Sequence, residues 1–335
     1  MTKKTLFLWI QMLVVQFVIL LVVLEAILRV WYFFHNRSEP PFSYITEDVG
    51  WRSAPDLSFT YERKHYGEIK YSSTRDGFRS FGDPESDRTK ILVVGDSFTQ
   101  AYHVSDGDPY YDQLGQLADA EIFAIAAGGY GTLQQSMMIE EYAPEIAPDI
   151  IIWQFTGNDF INNDWLLESQ SNENSSHMRR PFWEDGQVVM RHPDGFLGQV
   201  AHYSFLARRL LVIRGSFRKR SVGSIEDSLA LAQADLKRSV KTTVTLINNA
   251  VNANQSTRFY GFFAGREYYS WELGAFEQVC QQSKLACVPE VYNSVTKAGD
   301  NGEQVDGGGD GHWNALGHKI AAQALFEAVS NSGAR

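Results

Sequence analysis

Hydrophobic positions are distributed along this chain in two ways. From Leu6 to Leu24 every residue but Gln11 and Gln16 is apolar. As a helix this run spans about 30 Å, the thickness of a bilayer's hydrocarbon core. Apolar residues resume after Glu25 and Arg29 and close in the aromatic cluster Trp31-Tyr32-Phe33-Phe34, a composition suited to the membrane interface. Lys3 and Lys4 precede the run, no small-residue cleavage site follows it and no cysteine lies near it. Residues 1–34 are therefore read as a transmembrane anchor rather than a signal peptide, a lipidated segment or a core helix. With Lys3, Lys4 and the terminal amine inside, the rest of the chain lies outside the cytoplasm.

Beyond the anchor the apolar runs are short. Residues 35–60 are rich in Pro, Ser and charge and read as a linker leading into the domain. A β-leaning stretch follows from Phe59 to about Arg79. Continuous apolar runs then occur at Ile91–Val94, Glu121–Ile125, Asp149–Phe155, Arg258–Phe263 and Leu285–Pro289, separated by helical patterns. Such strands belong to a parallel sheet covered on both faces, with functional residues in the loops at the strands' carboxyl ends. A long amphipathic helix is expected over Ser224–Asn252 and a terminal one over Ala315–Val329, with Asn314 as its N-cap. Residues 160–224 show no sheet pattern and read as an insertion that caps the site. Their basic patch, Arg208–Arg220, reads as a solvated helix face ahead of the alternative, a site for an anionic substrate or membrane headgroups.

Composition changes the picture in two places. The chain has 335 residues, 30 basic against 40 acidic, for a net charge of −10. The anchor carries Lys3, Lys4 and Arg29 against Glu25, so the acidic excess lies wholly in the remainder. That argues against nucleic acid, which needs a concentrated positive field. The two cysteines, Cys280 and Cys287, allow two readings: a disulfide worth about 2–3 kcal/mol on the chain-entropy estimate, or two buried thiols. They offer too few ligands for a metal site.

The chemistry begins where Ile91–Val94 runs into Gly95-Asp96-Ser97. A serine just after a central strand, at the start of a helix, lies near unpaired amides that can stabilise an oxyanion. Serine needs a base, usually a histidine oriented by a carboxylate. Asp310-Gly311-His312 supplies both from one loop: Asp310 can accept from Nδ1 while Nε2 faces Ser97. Gly128-Gly129 after the second run lets a backbone N–H approach a substrate, and Asn158, in Gly157-Asn158-Asp159 after the third, can donate to the same oxyanion. The fragment Gly129–Gly131 lacks the rest of a dinucleotide fingerprint, no phosphate-binding Gly-Lys loop occurs, and there is no G-x-S-x-G elbow. His318 is expected as an ordinary polar residue on the terminal helix and His103 as solvent-exposed. Residues 306–311 are expected as a flexible turn, Asp96 as a brace, and the aromatics of 259–271 as core and cleft wall.

Taken together, Gly-Asp-Ser, the glycine block, Gly-Asn-Asp and the late Asp-x-His resemble the SGNH (GDSL-type) hydrolase superfamily, with Asp76-Gly77-Phe78-Arg79 resembling the segment before the first block in membrane-anchored bacterial members. The resemblance covers about residues 50–330. It implies an α/β, flavodoxin-like three-layer sandwich with a central parallel sheet over residues 61–335, in addition to the N-terminal transmembrane helix. It also implies a serine esterase with Ser97 as nucleophile, His312 as base and Asp310 as its orienter. Ser97, Gly129 and Asn158 would be the oxyanion donors, with no cofactor and no metal. The chain departs from the family in having Gly309 three residues before His312, which makes Asp306 a fallback orienter, and in having Ala124 where an asparagine is common. The implied substrate is an acylated small molecule or glycan of the envelope, O-acetyl esters among them. An O-acyltransferase on the same triad, or a non-catalytic component of an export complex, are the alternatives.

Overall fold

The structure is a computed structural model that describes residues 2–35, 42–171, 178–192, 195–211, 213, 233–265, 270–308 and 311–331. Its strands are β1 (Ser43–Ile45), β2 (Trp51–Ser53), β3 (Ser58–Arg63), β4 (Gly67–Ser72), β5 (Ser80–Phe81), β6 (Lys90–Gly95), β7 (Glu121–Ala126), β8 (Ile150–Phe155), β9 (Arg180–Glu184), β10 (Gln187–Arg191), β11 (Arg258–Phe263) and β12 (Ala286–Cys287). Six of them form one sheet in the order β12-β11-β8-β6-β7-β5. All neighbours in it are parallel except β5, which runs antiparallel to β7 at the edge. Counting only its parallel strands, the sheet has the flavodoxin-like order 2-1-3-4-5, whose direction of winding reverses between β6 and β8. That reversal opens a crevice at their carboxyl ends, the usual place for a ligand in such sheets.

The apolar runs are continuous because the sheet has no solvent face. Leu92 and Val94 of β6 point into one core layer with Phe123, Ile151, Trp153 and Phe263. Ile91 and Val93 point into the other with Ile122, Ile152 and Phe262, as the two-residue period of a strand requires. The helices Thr132–Ile146, Gln233–Ala253 and Glu272–Gln282 supply the first layer. Tyr110–Ala118, Pro289–Asp300 and Ala315–Asn331 supply the second. The fold is thus the three-layer α/β sandwich expected.

Several expectations are adjusted. The stretch read as linker is folded from Phe42 onward: β1 and β2 pair as a hairpin, and Trp51 is fully buried in the first core layer. One indole with that much apolar surface outweighs the polar composition around it. The helix expected over Ser224–Asn252 is seen as Gln233–Ala253, residues 224–232 lying outside the described ones. The insertion contributes the helix Trp165–Gln170, the hairpin β9–β10, the helix Gly195–Tyr203 and helical residues 205–211; the basic patch from residue 214 on lies outside the described residues. Cys280, in the helix Glu272–Gln282, is disulfide-bonded to Cys287 of β12.

Among the described residues one helix, Lys3–His35, is long and apolar enough to cross a membrane, and none of its apolar window is buried against the rest of the chain. Asn314 caps the terminal helix as expected, its Oδ1 accepting from the amides of Leu316 at 3.0 Å and Gly317 at 3.1 Å.

Candidate active site

β6 delivers Gly95, Asp96 and Ser97 to the crevice. A side chain at Gly95 would meet Thr99 Oγ1 at 2.2 Å and Gln154 Oε1 at 2.3 Å, so only glycine lets β6 pass this close to the polar end of β8. Ser97 opens the short helix Ser97–Gln100, capped by Asp96, whose Oδ1 accepts from the Phe98 amide at 3.0 Å. Asp96 is buried; its Oδ2 also accepts from Thr156 Oγ1 at 2.9 Å, and its amide donates to Gln154 Oε1 at 3.0 Å. Burial pushes its carboxyl up from the usual range. It braces β6 against β8, as expected.

His312 arrives from the opposite end of the chain. The loop that carries it is pinched by a bridge between Asp306 and Trp313 and by the Gly307 amide donating to the His312 carbonyl at 3.2 Å. Tyr66, in the turn between β3 and β4, donates its hydroxyl to the same carbonyl at 2.9 Å. The result is 2.7 Å between Ser97 Oγ and His312 Nε2, a hydrogen bond between side chains 215 residues apart. Asp310, expected to orient this imidazole, lies outside the described residues. Asp306 is buried, and its Oδ1 accepts from the Gly308 amide at 2.8 Å. In this position it shapes the turn.

Two rings stack on the imidazole: Phe98 at 4.7 Å between centroids and 25° between planes, and His103 at 4.1 Å and 17°. His103 is 2% exposed, which corrects the expectation of a solvent-facing residue. The buried Arg79 holds its loop in place by donating to the carbonyls of Ala101 and Val104 and pairing with Asp106 at 2.5 Å. His318 is also buried, accepting at Nδ1 from the Tyr110 amide at 3.2 Å, and burial pushes its imidazole down to about 3.

The glycine block lies directly beside the serine: a Cβ on Gly128 would stand 3.7 Å from Ser97 Cβ. Three side chains fix its peptides. Gln100 Oε1 accepts from the Gly128 amide at 2.8 Å, Trp51 Nε1 donates to the Gly128 carbonyl at 3.0 Å, and Arg180 donates to the Gly129 carbonyl at 2.9 Å. In a trans peptide the N–H points opposite to the C=O. With the Gly128 carbonyl held by Trp51, the Gly129 N–H is turned away from the indole, and φ of +77° at Gly129 shapes the bend.

Asn158 Oδ1 lies 2.5 Å from Thr156 Oγ1, whose single hydrogen it shares with Asp96, and Asn158 donates one Nδ2 hydrogen to Asn162 Oδ1 at 3.0 Å, while an amide carries two such hydrogens. Asn162 donates in turn to Glu168 Oε2 at 2.6 Å, and Glu168 pairs with Arg180 at 3.5 Å, both side chains being fully buried. A continuous polar chain therefore links Asn158 to the Gly129 carbonyl. Its Glu168 and Arg180 come from the segment the sequence left unread. Beneath it, Asp159 is buried and accepts from the Thr156 amide at 2.8 Å and from Gln135 at 3.0 Å. Burial, then the neighbouring Asp96, pushes its carboxyl well up, which favours its protonated form. Beside the His312 loop is a cavity of about 330 Å³ walled by Tyr292, Val295, Val305 and Trp313.

Fold and site together define a three-layer α/β domain in which Ser97 and His312 meet, with Gly128 beside the serine, at the carboxyl edge of one sheet. No protein-family model matches the chain, and no curated protein does. Among solved structures it is similar to a lipolytic protein of the G-D-S-L family from Veillonella parvula at 13% identity, with 72% of this chain and 98% of that one covered and a TM-score of 0.41. It is also similar to the psychrotrophic esterase EstA from Pseudoalteromonas sp. at 9% identity, with coverage of 74% and 100% and a TM-score of 0.41. A family two carbohydrate esterase from Clostridium thermocellum, in complex with cellohexaose, is similar at 10% identity, with coverage of 80% and 68% and a TM-score of 0.39.

Proposed function

We propose that the chain is a membrane-anchored serine esterase that cleaves acyl esters of an envelope small molecule or glycan on the extracytoplasmic side. The observation that carries this reading is the 2.7 Å contact of Ser97 Oγ with His312 Nε2. Ser97 Oγ attacks the acyl carbonyl as His312 Nε2 takes its proton. The oxyanion is received by the amides of Ser97 and Gly129 and by the side chain of Asn158. His312 then protonates the departing alcohol oxygen, leaving an acyl-serine. Water, deprotonated by His312, attacks it, and the carboxylic acid leaves as Ser97 recovers its proton. Asp310 is the orienter assigned by resemblance.

For the location, the support is the exposed apolar helix Lys3–His35 with Lys3 and Lys4 at its start, together with a disulfide, which persists in oxidising compartments. The full chain in detergent should hydrolyse p-nitrophenyl acetate to free acetate and take a fluorophosphonate label. Ser97→Ala should lose both. Undiminished turnover by Ser97→Ala would rule the mechanism out, and an acylated glycan as main product would move the reading to acyl transfer.

A further inference from the structure

The insertion contains two helical segments that are packed the wrong way round for water. Residues 195–203 and 205–211 meet through the small or fully covered side chains of Ala201, Ala207 and Leu211, a cluster separate from the main core. Their large apolar side chains point outward instead: Phe196 is 80% exposed and Tyr203 76%, with Leu210 at 52% and Ile213 at 50%. Phe196, Val200 and Tyr203 follow one another at i, i+4 and i+7, which puts them on one helix face. A helix of a water-soluble domain turns such a stripe toward its core. An outward stripe calls for an apolar surrounding.

The same segment is joined to the apolar N-terminal helix. Glu25 accepts from Ser204 Oγ at 2.9 Å and from the amides of Phe205 at 3.0 Å and Leu206 at 2.9 Å, so a carboxylate of the span caps the second insertion helix. Arg29 pairs with Glu25 at 2.8 Å and donates to the Tyr203 carbonyl at 2.7 Å. Tyr32 meets Phe205 edge-on at 4.9 Å, and the Arg209 guanidinium lies 5.1 Å from the centre of the Trp31 ring. Glu25 precedes Tyr32 by seven residues, about 10 Å along a helix axis. The insertion is therefore fixed at the level where the span leaves the hydrocarbon, within the depth at which interfacial helices lie.

We propose that residues 195–213 are a second membrane contact, a foot lying in the interfacial layer with Phe196, Tyr203, Leu210 and Ile213 among the acyl chains and Arg208 and Arg209 at the phosphates of anionic lipid. The proposal rests on the anchor reading. It goes further, because it makes the domain ride on the bilayer in one orientation rather than swing from a tether.

The test places a nitroxide on Phe196→Cys, Tyr203→Cys or Leu210→Cys in the full chain, reconstituted in phosphatidylcholine–phosphatidylglycerol vesicles. Cys280 and Cys287 are bonded to each other and take no label. Leu13→Cys serves as the reference within the span, and Asp119→Cys, whose side chain is 91% exposed, as the aqueous reference. Thermal unfolding matching the parent selects the variants that are read. Labels at 196, 203 and 210 should lose most collisions with a water-soluble nickel complex and keep those with oxygen, as at position 13. If position 13 is protected while the three behave like position 119, the foot is overturned and the anchor stands. If position 13 is also open to nickel, the anchor reading falls and takes the foot with it.

Discussion

The imidazoles of His103 and His312 are stacked, their centroids 4.1 Å apart and their planes 17° from parallel. One belongs to the loop after the serine helix, the other to the loop before the terminal helix, and the stack ties the two loops together. A stacked ring pair contributes about 0.5–1.5 kcal/mol beyond its burial. If that energy holds His312 in its working rotamer, His103→Ala should lower kcat by about two- to tenfold with KM little changed. His103→Phe, which keeps a ring in place, should recover most of the loss. Equal kcat for the parent and the alanine variant would show that the stack does not position the base.

In the proposed mechanism Trp51 acts at one remove from the oxyanion. Its indole N–H fixes the Gly128 carbonyl and thereby the direction of the Gly129 N–H. Trp51→Phe keeps the ring and deletes the hydrogen bond. Removing an oxyanion donor outright costs about a hundred- to a thousandfold in kcat, so misdirecting one should cost less, about tenfold, again without a matching change in KM. A loss confined to KM would assign Trp51 to substrate binding instead.

The two aspartates of the terminal loop should separate cleanly. Asp306 Oδ1 accepts from the Gly308 amide and so shapes the turn, and Asp306→Asn should lower the melting temperature more than it lowers kcat. Asp310→Asn should leave the melting temperature near that of the parent and reduce kcat by about a thousandfold or more, the scale for an orienting carboxylate. Reversed results would make Asp306 the orienter.

His318 gives the fold an acid limit. Its imidazole is pushed down by burial from 6.5 to about 3. Between those values the unfolded chain binds a proton that the folded chain refuses, so stability rises with pH across the window and is lost on acidification. Relative to pH 7.5, the loss at pH 5 is about 2 kcal/mol. His318→Gln retains an acceptor for the Tyr110 amide and has nothing to titrate. Its melting temperature should fall less between pH 7.5 and pH 5 than that of the parent; parallel slopes would exclude His318 as the cause.

What could be read in advance follows from which residues carry a local signal. β6, β7, β8 and β11 were legible because a strand covered on both faces is apolar without interruption. β12 was legible within the apolar run Leu285–Pro289, whereas β5, two residues long at the antiparallel edge, is too short to show a period. The hairpin at Trp51 was hidden by the prolines, serines and charges around a single indole. Ser97 and His312 announced themselves through chemistry and order in the chain. Trp51, Arg180 and Tyr66 did not, because each acts on a backbone carbonyl far away in sequence, and a hydrogen bond to a carbonyl leaves no mark on the residue that supplies it. His103 was misread because imidazole suits surface and core alike, and only its partner, His312, decides between them; His318 sits on the terminal helix as read, its burial against the Tyr110 amide being what the pattern did not show. The insertion stayed opaque because its apolar stripe points away from the domain.

The 215 residues between Ser97 and His312 also set an order in time. The serine, the glycine block and Asn158 all leave the ribosome well before the imidazole. It reaches the serine only when the helix Ala315–Asn331 has packed on Tyr110–Ala118. A nascent chain that has not yet reached His312 therefore lacks the Ser97–His312 pair.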